Sequence, residues 1–269
     1  MSNKLLGLIA GNGQFPILFA QKARTQNFKI IAAGIEGDTS FFLRFVVDKF
    51  AIFKVGEFEK LFNFFQREGV REVIMAGQVN PNNLFDARVS MDASFQELFD
   101  ALKDRKADTI FSAVACKLKE KGMELLDSTF LLKDCLAPHG TLTKRGPTIK
   151  ELEDIEFGKT IAKAMGGLDV GQTVVIKDKA IVAIEAMEGT DRAILRGGEI
   201  AQDGAVIVKM SKPNQDFRFD VPVVGPRTIE ALRKVRASCL AVEAGKTLLI
   251  DRNRLVWLAD KAGICIVAA

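Results

Sequence analysis

The 269 residues are 48% apolar and 27% charged, with 38 Lys and Arg against 34 Asp and Glu for a net charge of +4. That is the balance of a globular protein long enough for two modest cores, and with no apolar run of eighteen residues it predicts no membrane span. One histidine (His139), no tyrosine and four cysteines without a CxxC pair exclude multi-histidine and cysteine-knuckle metal sites, a disulfide framework, and any Ser-His-Asp or Cys-His system that does without His139. Mild basicity suits an anionic ligand, but no Arg/Lys stripe interleaved with aromatics is present, so nucleic acid is not an expected partner. Chemistry falls to carboxylates, lysines and backbone amides, whose oxygen donors suit Mg²⁺, or Mn²⁺, better than zinc.

Lys4 to Ala10 reads as a strand, not a signal peptide, because Gly11 and Gly13 interrupt the apolar run, and a reducing cytoplasm fits the cysteine usage. A helix follows from Pro16 to Gln26, then a strand from Phe28 to Ile35 and another from Lys49 to Val55. Phe58, Leu61, Phe62 and Phe65 at helical spacing predict a helix closed by Gly69, and Val70 to Val79 returns as a buried strand. Helices over 93–103 and 108–121 complete a first α/β half with a mostly parallel sheet. The clustered Phe41, Phe42, Phe45, Phe50 and Phe53 are expected mainly as core, with a minority lining an apolar cleft.

Around LAPHGTLTKRGPT the composition turns to Pro, Gly and hydroxyl residues, which predicts a hinge linker and places His139 on an exposed loop. The boundaries are 1–134 for the first domain, 135–147 for the linker and 148–269 for the second. The second half reads as a helix over 149–165, a hairpin turning at Lys177-Asp178-Lys179, a helix after Gly189, the strand AVIVKMSK, the helix GPRTIEALRKVRA, a second hairpin in LAVEAGKTLLID, a helix RNRLVWLADKAG and a closing strand ICIVA.

Three stretches could carry chemistry. GNGQFP, with Gly11, Gly13 and Gln14, follows a strand and opens a helix, where backbone N–H groups and the helix dipole hold phosphates; a tight turn without a ligand accounts for it equally simply. MAGQVN brings Gly77 and Gln78 to the carboxyl end of a strand. Glu185, Glu188, Thr190 and Asp191 cluster in EAMEGTD, and Lys209, Lys212, Gln215, Asp216, Arg218 and Asp220 follow in KMSKPNQDFRFDVPVVG. Those carboxylates and bases could grip a pyrophosphate with its metal, or serve as helix caps and surface ion pairs.

Taken in order, LGLIAGNGQFP, GEFEKLF, MAGQVN, DVGQTVV with AIVAIEAMEGTD, VKMSKPNQDFRFDVPVVG and VEAGKTLLID resemble the signature blocks of the LpxI family of UDP-2,3-diacylglucosamine pyrophosphatases, over about residues 5 to 268. The resemblance implies an N-terminal Rossmann-like domain that binds UDP and lipid and a C-terminal α/β hydrolase domain, joined by a hinge. It implies Mg²⁺-dependent cleavage of the lipid A precursor to UMP and 2,3-diacylglucosamine 1-phosphate. The family's essential aspartate falls on Asp220, which would bind metal or activate water. Asp191, Glu188 and Lys212 are matched as further catalytic groups, and Asp191 and Glu185 join Asp220 as metal ligands. Gly11, Gly13, Gln14, Gly77, Gln78, Thr190, Lys209, Gln215 and Arg218 are matched to substrate binding. One departure stands at Asn80-Pro81-Asn82, where other members carry a basic residue. A lipid substrate leaves room for peripheral contact of a cytoplasmic protein with the inner membrane, and a homodimer is open. Two rival readings remain: an NAD(P)-binding oxidoreductase and a non-catalytic nucleotide-lipid-binding protein.

Overall fold

The computed structural model describes residues 4–79, 92–104 and 106–269. Asn80-Pro81-Asn82 lies outside the described residues. By its internal contacts the chain divides into two units: residues 1–132 with 217–220, and residues 133–216 with 221–269. The chain therefore passes from one unit to the other three times.

The first unit is built on a five-stranded, all-parallel sheet of β1 (Lys4–Ala10), β2 (Phe28–Ile35), β3 (Lys49–Phe53), β4 (Glu72–Ala76) and β5 (Glu124–Leu125), in the order β3-β2-β1-β4-β5. The unbroken apolar runs in β1, β2 and β4 are what a parallel sheet covered on both faces demands, and Leu6, Leu8, Ile30, Ala33 and Ile74 are fully buried. Helices α1 (Phe15–Thr25), α2 (Phe58–Arg67), α3 (Ala93–Asp100) and α4 (Ala107–Glu120) alternate with the strands. Leu61, Phe62 and Phe65 of α2 join Val73, Val114 and Leu118 in one core, so the helical spacing of the sequence is the spacing of the buried face.

The phenylalanine cluster departs from expectation. Phe41, Phe42 and Phe45 lie on a short 3-10 turn (Phe41–Phe45) and are 56%, 72% and 65% exposed, with only Leu43 of that turn buried. In so short an element the tight winding leaves one position facing inward, and Leu43 takes it.

The second unit holds a mixed six-stranded sheet, ordered β6-β13-β11-β9-β7-β8, from β6 (Gly140–Thr141), β7 (Thr173–Lys177), β8 (Ala180–Ile184), β9 (Val206–Lys209), β11 (Cys239–Val242) and β13 (Cys265–Ala268). β9, β11 and β13 are parallel, and β7 and β8 form the expected antiparallel hairpin. Helices α5 (Ile149–Gly167), α6 (Thr190–Ala201), α7 (Pro226–Lys234) and α8 (Arg252–Ala262) accompany it. α5 starts at a capping box, with Thr148 and Glu151 each satisfying the other's backbone N–H.

Two expectations fail here. The second hairpin does not form: β11 has β9 and β13 on its two sides, so β12 (Leu248–Leu249) pairs instead in parallel with β10 (Val223–Val224). The stretch 135–147 is not a free linker. β6 pairs with β13, Ile266 N donates to Thr143 Oγ1 at 2.9 Å, and Arg145 makes a two-pronged ion pair with Glu151 at 2.8 and 3.0 Å. His139 is exposed, as expected.

Candidate functional site

In a parallel sheet, ligands gather at the carboxyl ends of the strands where the strand order reverses, which in the first unit is the β1/β4 edge. There the two glycine loops are joined backbone to backbone. Gly11 N donates to Ala76 O at 2.8 Å, Asn12 N to Gln78 O at 2.7 Å, and Gln78 N to Asn12 O at 3.3 Å. A Cβ on Gly11 would stand 2.6 Å from the Gln78 carbonyl oxygen, and one on Gly77 would press the Asn12 carbonyl more closely still. Gly11 and Gly77 are therefore required by the approach of the two loops, whatever binds above them. Gly13 shares a positive φ with Gly77, +91° against +88°, but differs in that nothing lies within 4 Å of where its Cβ would be. Gly13, Gln14, Gly77 and Gln78 are exposed, and the start of α1, with Pro16 in its first turn and no acid there, faces the same edge. That surface suits a phosphate through backbone N–H groups and the helix dipole. It is not the open three-glycine cradle of a dinucleotide site, because one of its two glycines is spent on the neighbouring loop.

Asp220 belongs with this unit. Residues 217–220 leave the second half of the sequence and pack beside 126–128: Ser128 N donates to Phe217 O at 2.9 Å, and Phe219 stacks on Phe111 of α4 with ring centroids 5.7 Å apart. The Ser128 hydroxyl reaches both Met75 O in β4, at 2.5 Å, and Arg218 O, at 2.7 Å. Arg218 is exposed, with its guanidinium 6.0 Å from the Phe219 ring. The segment thus lies against the carboxyl half of β4, the strand that leads into Gly77 and Gln78.

The other sequence-derived residues lie in the second unit and fall into two groups. In the first, Lys209 at the end of β9 is 7% exposed and donates to Thr190 Oγ1 at 2.7 Å. Thr190, the first residue of α6, donates to Glu185 Oε1 at 2.8 Å, while Glu185 Oε2 is buried without a hydrogen-bond partner, 3.9 Å from the Lys209 ammonium. Asp191 follows Thr190 in the first turn of α6, where the helix dipole favours an acid. Glu188 is turned to other work. Burial pushes its carboxyl up, but Arg196 at 2.7 Å and the N–H of Ala186 at 3.0 Å outweigh that and hold it below the usual range, which is the signature of a local ion pair.

In the second group, Lys212 pairs with Asp169 at 2.5 Å, and its N–H donates to Gln215 Oε1 at 2.7 Å. One residue back, Ser211 is fully buried and donates both N–H (2.8 Å) and Oγ–H (2.6 Å) to Glu243 Oε2. Glu243 also takes Lys163 at 2.6 Å and Lys246 at 2.8 Å. Burial raises the Glu243 carboxyl, yet Lys163, Lys246 and Ser211 together hold it at about 2. Sequence reasoning passed over Glu243, Lys163 and Ser211. The available signal was a charged residue directly after the buried strand β11, at the carboxyl edge.

Among the described residues no three His, Cys, Asp or Glu side chains gather as a metal cage. Mg²⁺ needs no such cage, since it keeps several waters and takes one or two carboxylates beside substrate phosphates. The unpartnered, buried Glu185 oxygen and an all-oxygen donor set fit that mode of binding.

Comparison with known proteins places residues 5–135 on the LpxI N-terminal domain and residues 138–267 on the LpxI C-terminal domain. A protein of Caulobacter vibrioides named UDP-2,3-diacylglucosamine pyrophosphatase LpxI is 28% identical over 277 residues, covering 97% of this chain and 96% of that one. Among solved structures, N5-carboxyaminoimidazole synthetase from Staphylococcus aureus complexed with ADP is 17% identical, covers 64% of this chain and matches with a TM-score of 0.25. The biotin carboxylase domain of Hydrogenobacter thermophilus 2-oxoglutarate carboxylase is 14% identical, covers 73% and matches at 0.28. The chain spans only 37% and 40% of those two proteins, and the scores carry no argument about fold or ligand.

Proposed function

The chain belongs to the LpxI family, matched through both of its domains, and we infer from that membership that it hydrolyses the pyrophosphate of UDP-2,3-diacylglucosamine to UMP and 2,3-diacylglucosamine 1-phosphate in lipid A biosynthesis. The similarity to the Caulobacter enzyme from end to end supports this. The structural observation that carries the assignment of Asp220 is its placement: a segment from the second half of the sequence is built into the first unit beside β4, which ends in the Gly77 loop.

In this reading the first unit's sheet is Rossmann-like, and the exposed glycine-loop edge with the start of α1 holds the nucleotide phosphate. Asp220 takes the proton of the attacking water, a task a carboxylate performs at neutral pH. As the bridging bond breaks, charge grows on the phosphate oxygens, and Lys209 and Lys212 are the cations proposed to meet it. Thr190 orients Lys209, Gln215 holds the backbone of Lys212, and Arg218 engages the phosphates. Mg²⁺, which Glu185 or Asp220 would hold together with substrate phosphates, would neutralise charge on the pyrophosphate. No helix among the described residues is long and apolar enough to cross a membrane. A cytoplasmic protein in peripheral contact with the inner membrane is the placement proposed, supported by the exposed Phe41, Phe42 and Phe45.

Release of UMP from UDP-2,3-diacylglucosamine, followed with and without EDTA, tests the activity and its metal dependence together. Asp220→Ala is expected to abolish release while substrate binding persists. Full activity of that variant in added Mg²⁺ would sink the assignment of Asp220.

A further inference from the structure

β5 is only two residues long, and its pairing with β4 stops at Val73↔Leu125. Leu126 N still donates to Val73 O at 2.9 Å. Carbonyls on one side of a strand recur every second residue, so the next β4 carbonyl on that side is Met75 O, beyond the end of β5. A buried carbonyl left bare forfeits its hydration with no return, so something must cover it. The Ser128 hydroxyl does so at 2.5 Å.

The same hydroxyl lies 2.7 Å from Arg218 O, and the Ser128 N–H donates to Phe217 O at 2.9 Å. One fully buried side chain therefore joins the exhausted edge of β4 to the inserted segment, two residues before Asp220. Its own geometry is locked from the next position, where Thr129 N and Oγ1 both donate to Asp127 Oδ1 at 2.7 Å. Nothing in Ser128 is suited to chemistry on a substrate: it is buried, and its proton is shared between two carbonyls.

We propose that Ser128 is a positioning residue for Asp220, acting as the splice that fixes residues 217–220 against β4. The proposal rests on the functional reading above for what Asp220 does, and on geometry alone for what Ser128 holds. Removing the hydroxyl frees the Arg218 carbonyl and uncovers Met75 O, while Phe219 keeps its stacking contact with Phe111. The segment loosens without leaving, and misplacing a catalytic group by about an ångström costs on the order of a hundredfold in rate.

The test pairs turnover with limited trypsin digestion, since Arg218 is an exposed cleavage point inside the segment. In Ser128→Ala, cleavage after Arg218 should rise about tenfold or more with other sites unchanged, and kcat should fall at least about tenfold with KM within about twofold. Phe111→Leu loosens the same segment through its separate contact with Phe219 and should show the same pattern. Wild-type digestion and wild-type kcat in Ser128→Ala overturn the proposal, as does an equal rise at every cleavage site, which marks general destabilisation. Selective cleavage in Phe111→Leu with unchanged kcat also overturns it, because fixation would then not govern Asp220. A wild-type chain without any hydrolysis would sink the functional reading and Asp220's role with it, and the digestion would still decide whether Ser128 holds the segment.

Discussion

Glu243→Gln isolates the charge at the centre of the second unit's carboxyl edge. In the folded protein the Glu243 carboxyl is held at about 2 against an ordinary 4.5. That gap converts to a ceiling of roughly 3 kcal/mol. The Glu243 side chain is 15% exposed, but its partners Lys163 and Lys246 are 36% and 45% exposed, and solvent screening brings the contribution to about 2 kcal/mol. A depressed carboxyl stabilises the fold above its unfolded value, so the contribution is complete above pH 4.5 and lost as pH falls from 4.5 towards 2. The amide of Gln keeps the shape and still accepts from Ser211, which confines the change to charge. Urea unfolding should therefore show Glu243→Gln less stable than wild type by about 2 kcal/mol at pH 7, with the difference closing as pH falls to about 2. Glu151, also held at about 2 against the push of burial by Arg145, Thr148 and Ser238, contributes equally to both proteins and cancels. A difference that stays constant from pH 7 to pH 2.5 would refute the reasoning.

Gly11→Ala and Gly77→Ala should each cost about 1–3 kcal/mol, because their new methyls meet backbone that cannot turn aside, with the positive φ of Gly77 adding to its loss, whereas Gly13→Ala meets open space and should cost only the roughly 1 kcal/mol of its positive φ; thermal unfolding of the three variants checks the order. Lys209→Met removes the ammonium that stands 3.9 Å from the buried Glu185 oxygen, and hydrolysis should fall about a hundredfold or more; a loss under threefold would remove Lys209 from the reaction. Arg145→Lys keeps the charge but gives up the fork to Glu151 and the bonds to Ser238 O and Gly263 O, so a loss of about 1–3 kcal/mol is expected in denaturant unfolding, with kcat unchanged.

The first sheet was readable because its strands are continuous apolar runs separated by helices with clear periodicity, from Leu6 and Ile30 to Phe62 and Phe65. Short pieces were not. β5, β6, β10 and β12 have two residues each, too few to show any period, and β12 pairs with β10 in a small sheet of their own. The exposed Phe41, Phe42 and Phe45 misled for a different reason: apolar identity reports what a residue prefers, not which way a tight turn points it. At the site, residue types announced the carboxylates and lysines, and Lys209, Thr190 and Glu185 do meet. The Glu243 cluster joins α5, the end of β9 and the end of β11, and Lys163, Ser211 and Glu243 stand 32 to 80 positions apart, beyond any local pattern. Ser128 is further from view: its task exists only because β5 stops early and a distant segment arrives.

That arrival has a consequence for cutting the molecule. The two family matches meet between residues 135 and 138, an inviting place to divide a gene. An N-terminal product ending there would lack Phe217 to Asp220, leaving Phe111 and the Ser128 hydroxyl without their neighbours. A C-terminal product would carry Phe217 and Phe219 with no groove to receive them, together with the aspartate and no sheet to hold it. Fragments made at that seam should aggregate or stay inactive singly and regain turnover only when mixed, so complementation between them would show that the seam in the sequence is not a seam in the fold.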